Sequence, residues 1–150
     1  MRYNTILPWN EGKAETLVIH CGDHRFQAHI DEFLKEGLKR KSFDRLILPG
    51  GPQCLMAASY LPKFEWAGRR WAKFLIKQHG IREIICIAHE DCSWYKDIAV
   101  GHMTIPLFKE RQIADLKRAR EVLQEMCSGV AVELFYAQPK EKNVEFLTVD

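Results

Sequence analysis

Two short stretches of this chain carry residue types that bind metal and move protons. The first is Cys21-Gly22-Asp23-His24-Arg25 and the second is His89-Glu90-Asp91-Cys92. Residues two apart in extended chain face one side, so Cys21, Asp23 and Arg25 can present thiolate, carboxylate and guanidinium together. His89 and Cys92 are three apart, so a single turn brings imidazole and thiolate to one side. Two thiolates and one imidazole suit Zn2+. A set of three ligands leaves the fourth tetrahedral corner open, as in catalytic rather than structural sites.

Charge then says what else such a site needs. Zn2+ with two thiolates is formally neutral, so it acidifies a water less than a three-histidine site does. A carboxylate that accepts a hydrogen bond from that water would orient it. Asp23 is the acid inside the first stretch, and Arg25 is placed to keep it ionised and aimed. Two other roles stay open for Asp23. It can swing onto the ion and fill the free corner, or it can simply cap the following helix, leaving Arg25 as a surface residue.

The elements that must position these residues are legible from hydrophobic spacing. Leu17–Cys21, Arg45–Leu48, Glu83–Ala88 and Val130–Tyr136 are short, apolar and rich in β-branched residues, so they read as buried strands. Phe26, Ile30, Phe33, Leu34 and Leu38 recur at helical spacing and predict a helix over 26–40. Phe64, Trp71, Phe74, Leu75 and Gln78 mark a second helix, with Gly80 at its C-cap. Ile113 to Met126 marks a third, ending near Gly129. Pro49-Gly50-Gly51-Pro52 stops the second strand. Residues 103–107 read as a short extended piece, and Gln138 to Asn143 as a polar turn before a last strand, Val144–Val149. Strands alternating with helices predict an α/β fold. Its expected form is a mostly parallel central sheet of four strands with helices on both faces, plus a C-terminal antiparallel edge strand. In such sheets ligands bind beyond the carboxyl ends of the strands, where both candidate stretches lie.

Composition sets the outer limits. The 150 residues form one domain, 1–150, large enough to bury a core without staples. Lys plus Arg number 22 and Asp plus Glu 20, too balanced for capture of nucleic acid. No stretch approaches the length of a membrane helix. Met1 to Glu15 holds no apolar run of signal-peptide length, and five cysteines make an unpromising disulfide framework. The expected location is therefore cytoplasmic, with reduced thiols.

The remaining candidates read as structural. Cys86 is mid-strand core, and Cys54 and Cys127 are packing residues. His20 should point opposite to Cys21, and His24 away from Asp23. Glu90 and Asp91 read as a solvated turn, with a supporting role at the site as the alternative. Gln53 can reach a pocket from the glycine turn. A cysteine-phosphatase loop is excluded. It needs five residues between cysteine and arginine, and only Gly22 to His24 intervene here, one of them an acid that repels phosphate.

The two stretches together resemble the β-class carbonic anhydrases. That family carries Cys-x-Asp-x-Arg after its first strand and His-x-x-Cys after its third. Both stand here in order, as Cys21/Asp23/Arg25 and His89/Cys92, and the terminal hairpin is also similar, so the resemblance spans roughly 17 to 149. It implies a zinc-bound hydroxide attacking carbon dioxide, with bicarbonate as product, and a homodimer or higher homo-oligomer with sites near the subunit interface. Three features depart from the pattern. Leu48-Pro49-Gly50-Gly51-Pro52 replaces an Arg-Asn-Ala-Gly-Asn-like segment. Ser93 and Trp94, rather than glycine, follow the second cysteine. Only 16 residues precede the first strand. These departures keep open a non-catalytic zinc-binding protein on the same fold, and a hydrolase of carbonyl sulfide or carbon disulfide. A redox pair of Cys21 and Cys92 is a third reading.

Overall fold

The computed structural model describes residues 1–56, 62–98 and 105–150. Among them are five strands: β1 Thr16–His20, β2 Asp44–Ile47, β3 Glu83–His89, β4 Ala131–Lys140 and β5 Asn143–Thr148. The helices are α1 His24–Glu32, α2 Pro62–His79, α3 Ser93–Ile98 and α4 Ile105–Met126. The sheet order is β2-β1-β3-β4-β5. The first four strands are parallel and β5 runs antiparallel to β4 at the edge.

The apolar runs are explained by burial on both faces of a parallel sheet. Leu17, Ile19, Ile84 and Cys86 pack with Ala72 and Ile76 of α2 and with Leu116, Ala119 and Leu123 of α4. The alternate residues Val18, Ile85 and Ile87 pack on the other face with Phe26 and Ile30 of α1. Period-two alternation thus feeds two cores from one strand. Helices cover both faces, as expected.

Several expectations shift at the edges of elements. The helix expected over 26–40 starts earlier, at His24, and its last turn, Phe33–Gly37, widens to π-type spacing. Residues 103 and 104 of the expected extended piece lie outside the described residues. From Ile105 the chain is already helical, so α4 begins eight residues before Ile113. β4 runs on through Pro139 and Lys140, pairing with Val144 and Asn143. The polar turn therefore shrinks to Glu141 and Lys142, with Glu141 in the left-handed region at φ 54°. Partner-strand hydrogen bonds hold Gln138 to Lys140 extended despite their turn-like composition.

β1 lies centrally. The chain leaves it for β2 on one side and later returns as β3 on the other. That reversal point between β1 and β3 is where open α/β sheets bind ligands. Cys21 follows β1 directly, and His89 ends β3.

Candidate metal centre

Cys21, His89 and Cys92 are brought together at this reversal point. One ligand atom from each lies within 4.8 Å of the others, and all three residues are buried. The Cys21 and Cys92 sulfurs are 3.8 Å apart. Two thiolates each about 2.3 Å from one tetrahedral ion would stand about 3.8 Å from each other. A disulfide would need about 2.05 Å. His89 is fixed in one tautomer: its Nδ1–H donates to the Glu90 carbonyl at 2.8 Å. Its Nε2 is buried without a partner. A buried ring nitrogen beside two sulfurs is the donor set a divalent ion fills. The residues present therefore fit a metal.

The sulfurs titrate as a pair. The Cys92 thiol donates to Cys21 and draws its ionisation well below the ordinary thiol range, helped by His89 and the Asp23 amide. Cys92 is pushed up in turn by sharing that proton and by burial, although the Tyr95 and Trp94 amides at the start of α3 oppose this. One thiolate forms easily there, and a second needs a cation beside it. Cys54, by contrast, is pushed up to about 12 by burial, and Cys86 is raised for the same reason. Both are packing residues, as expected.

The Asp23 carboxylate makes two kinds of contact, a helix cap and an ion pair with Arg25. Its Oδ1 accepts the Arg25 backbone N–H at 3.0 Å, capping α1. Its two oxygens also receive the Arg25 guanidinium, with Nη2 to Oδ2 at 2.6 Å. That pairing lowers the Asp23 carboxyl to about 2. Asp23 is not part of the metal-ligand cluster among the described residues. Its carboxylate is held on Arg25. Cys21, Asp23, Arg25, Pro49 and Trp94 line an open cleft of about 600 Å³.

Two residues support the site: Asp91, for which the sequence offered that role only as the alternative to a solvated turn, and Gln112, which the sequence did not mark. Asp91 accepts Arg25 Nη1 at 2.9 Å and its carbonyl accepts Nη2 at 3.2 Å, while Lys96 pairs with its other oxygen. It lies in a turn at φ 59°, half exposed, so the turn reading held and the supporting contact came with it. Its place two residues after His89 was the available signal. Gln112 of α4 is buried and donates to the His89 carbonyl at 2.8 Å. No local motif marks it.

The other candidates fall outside the cluster. His20 is fully buried, held neutral by desolvation, with Nδ1 on the Cys21 carbonyl. The His24 side chain is exposed. Gln53 is buried but does not line the cleft. Its amide accepts Trp94 Nε1 at 2.5 Å and reaches Asp115 at 3.3 Å. Tyr95 donates its hydroxyl to the same Asp115 carboxylate at 2.9 Å. The glycine turn explains why bulk is excluded there. A Cβ on Gly51, at φ 55°, would lie 2.9 Å from the Cys21 amide nitrogen, and one on Gly50 would strike the Trp94 ring.

Residues 11–148 match the sequence profile of a family described as "Putative carbonic anhydrase". The chain belongs to this family. Relatives in two rickettsiae share its sequence more closely than any solved structure named below. An uncharacterized protein of Rickettsia conorii is 28% identical over 134 residues, covering 82% of this chain and 67% of that protein. One of Rickettsia bellii is 26% identical over 132 residues, covering 82% and 76%. The fold is that of β-carbonic anhydrase isoform I of Trichomonas vaginalis, with a TM-score of 0.57 at 12% identity over 97% of this chain and 88% of that one. The Streptococcus mutans carbonic anhydrase is similar, with a TM-score of 0.55 at 15% identity over 99% and 88%. This carbonic anhydrase-like chain thus keeps the fold while its sequence has diverged far. Among the described residues, no helix is long and apolar enough to cross a membrane.

Proposed function

We propose that Cys21, His89 and Cys92 hold a zinc ion and that the protein is a lyase hydrating carbon dioxide to bicarbonate. The observation that carries this reading is the unpartnered Nε2 of His89, buried beside two sulfurs 3.8 Å apart. Zinc bound there would supply Lewis-acid chemistry, lowering the pH at which water becomes a nucleophile. The chain supplies the rest. The Glu90 carbonyl holds the His89 ring so that Nε2 faces the sulfurs. The amides of Asp23, Trp94 and Tyr95 support negative charge on the thiolates. Arg25 keeps Asp23 ionised at the wall of the cleft, where its carboxylate would accept a hydrogen bond from an incoming hydroxyl and aim it. Asp91 holds Arg25 from behind.

One observation favours a second reading, a non-catalytic zinc-binding protein. The Trp94 indole stands against Gly50 and is tied to Gln53, forming a wall of the cleft. Carbonyl sulfide and carbon disulfide are the alternative substrates. The deciding experiment measures carbon dioxide hydration by the zinc-loaded protein beside Asp23→Asn. Turnover in the wild type, lost in the variant with zinc retained, supports the enzyme. Absence of turnover in the zinc-loaded wild type supports the binding protein.

We further propose a homodimer or higher homo-oligomer in the cytoplasm. Trp66, Trp71 and Phe74 of α2 are exposed, as are Tyr3, Ile6, Leu7 and Trp9. Apolar surface on that scale is what subunit contacts cover. All five cysteines are free, which suits a reducing compartment. Light scattering tests the oligomer: a monomeric mass at micromolar concentration rejects it.

A further inference from the structure

A second cavity, of about 160 Å³, adjoins Cys92 without reaching Cys21, Asp23 or Arg25. Its walls come from the end of β3, α3, α4 and β4. Apart from the Glu90 carboxylate, the side-chain oxygens and amides of those walls are engaged with protein partners. Gln112 gives its amide nitrogen to the His89 carbonyl, and its oxygen accepts the Tyr136 hydroxyl at 3.2 Å. Tyr95 gives its hydroxyl to Asp115. What faces the space is mainly ring carbon of Tyr95, Phe108 and Tyr136, with the Cys92 side chain. Lys96 at the rim is paired with Asp91, and Glu90 beside them opposes an anion.

The proposed reaction does not account for this space. Carbon dioxide fills a fraction of it, and bicarbonate is an anion facing Glu90. An apolar cavity of about 150 Å³ takes up a benzene-sized molecule. We propose that the cavity is a binding subsite for an uncharged, apolar molecule or substituent up to the size of one aromatic ring, seated against Cys92. The proposal deepens the reading above and rests on it for Cys92 being part of the reaction centre. Binding in the cavity is independent of turnover.

The test is a 19F NMR titration of the zinc-loaded wild type with fluorobenzene, beside 4-fluorobenzoate. Saturable binding of fluorobenzene alone is expected. Phe108→Trp fills the space and should weaken that binding at least tenfold in a protein that still melts cooperatively. Phe108→Ala enlarges it and should admit 1-fluoronaphthalene, which the wild type excludes. Non-saturable binding to the wild type overturns the proposal, as does binding insensitive to both substitutions. Carbon dioxide hydration by the same wild-type sample separates the two readings. Hydration without fluorobenzene binding sinks only the cavity. Fluorobenzene binding without hydration sinks only the reaction.

Discussion

The Cys21 and Cys92 sulfurs lie 3.8 Å apart although 71 positions separate them in the chain. That separation is too long for a bond between them and suited to a shared ion. Elemental analysis of purified protein should find near-stoichiometric zinc, lost in Cys21→Ser and in His89→Ala. Bound metal should also leave both thiols unreactive toward a disulfide reagent, with reactivity appearing when a chelator removes it. Thiols that react equally with and without metal would instead support a redox pair.

Asp23 caps α1 and holds Arg25 with the same carboxylate, and two substitutions separate those roles. Asn is as good an N-cap as Asp, so Asp23→Asn should lose only what the ion pair with Arg25 contributes, whereas Ala loses the cap as well. Asp23→Ala should cost about 1 kcal/mol through the lost cap. Both should lower hydration by about 100-fold, the scale of a lost proton-handling group. Thermal melts and turnover, measured on the same preparations, check this.

The Asp23 carboxyl is lowered from 3.8 to about 2 by Arg25, so its native form binds protons less readily than its unfolded form. The stabilisation from the pair is complete above pH 3.8 and is lost as the pH falls toward 2. The melting-temperature difference between wild type and Arg25→Gln should hold steady from neutral pH to about 4, then shrink. A difference that shrinks already between pH 7 and 5 would place the loss on another group. Asp23 stays ionised throughout the neutral range, so any rise in activity above pH 7 does not come from it.

Gly51 presses against the Cys21 amide at φ 55°. Gly51→Ala combines left-handed strain with a backbone clash and should destabilise the protein by 1–3 kcal/mol in order of magnitude. Because the clash falls on Cys21 itself, zinc affinity should drop as well. Gly80→Ala is the control, since its left-handed φ of 73° brings strain but its Cβ meets nothing. Chelator competition should show weakened zinc in the first variant and unchanged zinc in the second.

Gln112 holds the His89 carbonyl and takes the Tyr136 hydroxyl, both in the interior. Gln112→Leu leaves two buried polar groups without partners and should cost about 1–3 kcal/mol. Loss of a group that orients a ligand residue should also weaken metal binding by about 10-fold or more. Denaturant melts and a zinc titration measure the two effects separately.

Much of the fold could be read from apolar runs. Ile84 to Ala88 is buried on alternating faces, and a run without polar breaks has no other soluble home. The misreadings fell where local chemistry competes with long-range pairing. Gln138 to Lys140 look like a turn, yet β5 pairs with them and draws them into β4. Ile105 to Arg111 carry no clear helical stripe of their own, yet they form the first turns of α4. The cluster was legible because each half-motif sits beside a strand end, and a strand end in a parallel sheet is a predictable place.

The amino-acid order by itself determined which side chains can bind metal, that they flank strands, and that an α/β sheet carries them. Spacing and hydrophobic period are local properties, readable one window at a time. Tertiary structure alone decided that Cys21 and Cys92 meet, that Asp23 rests on Arg25, and that Asp91 and Gln112 brace the site. Those relations depend on β1 and β3 lying side by side, which is a fact of packing between distant segments.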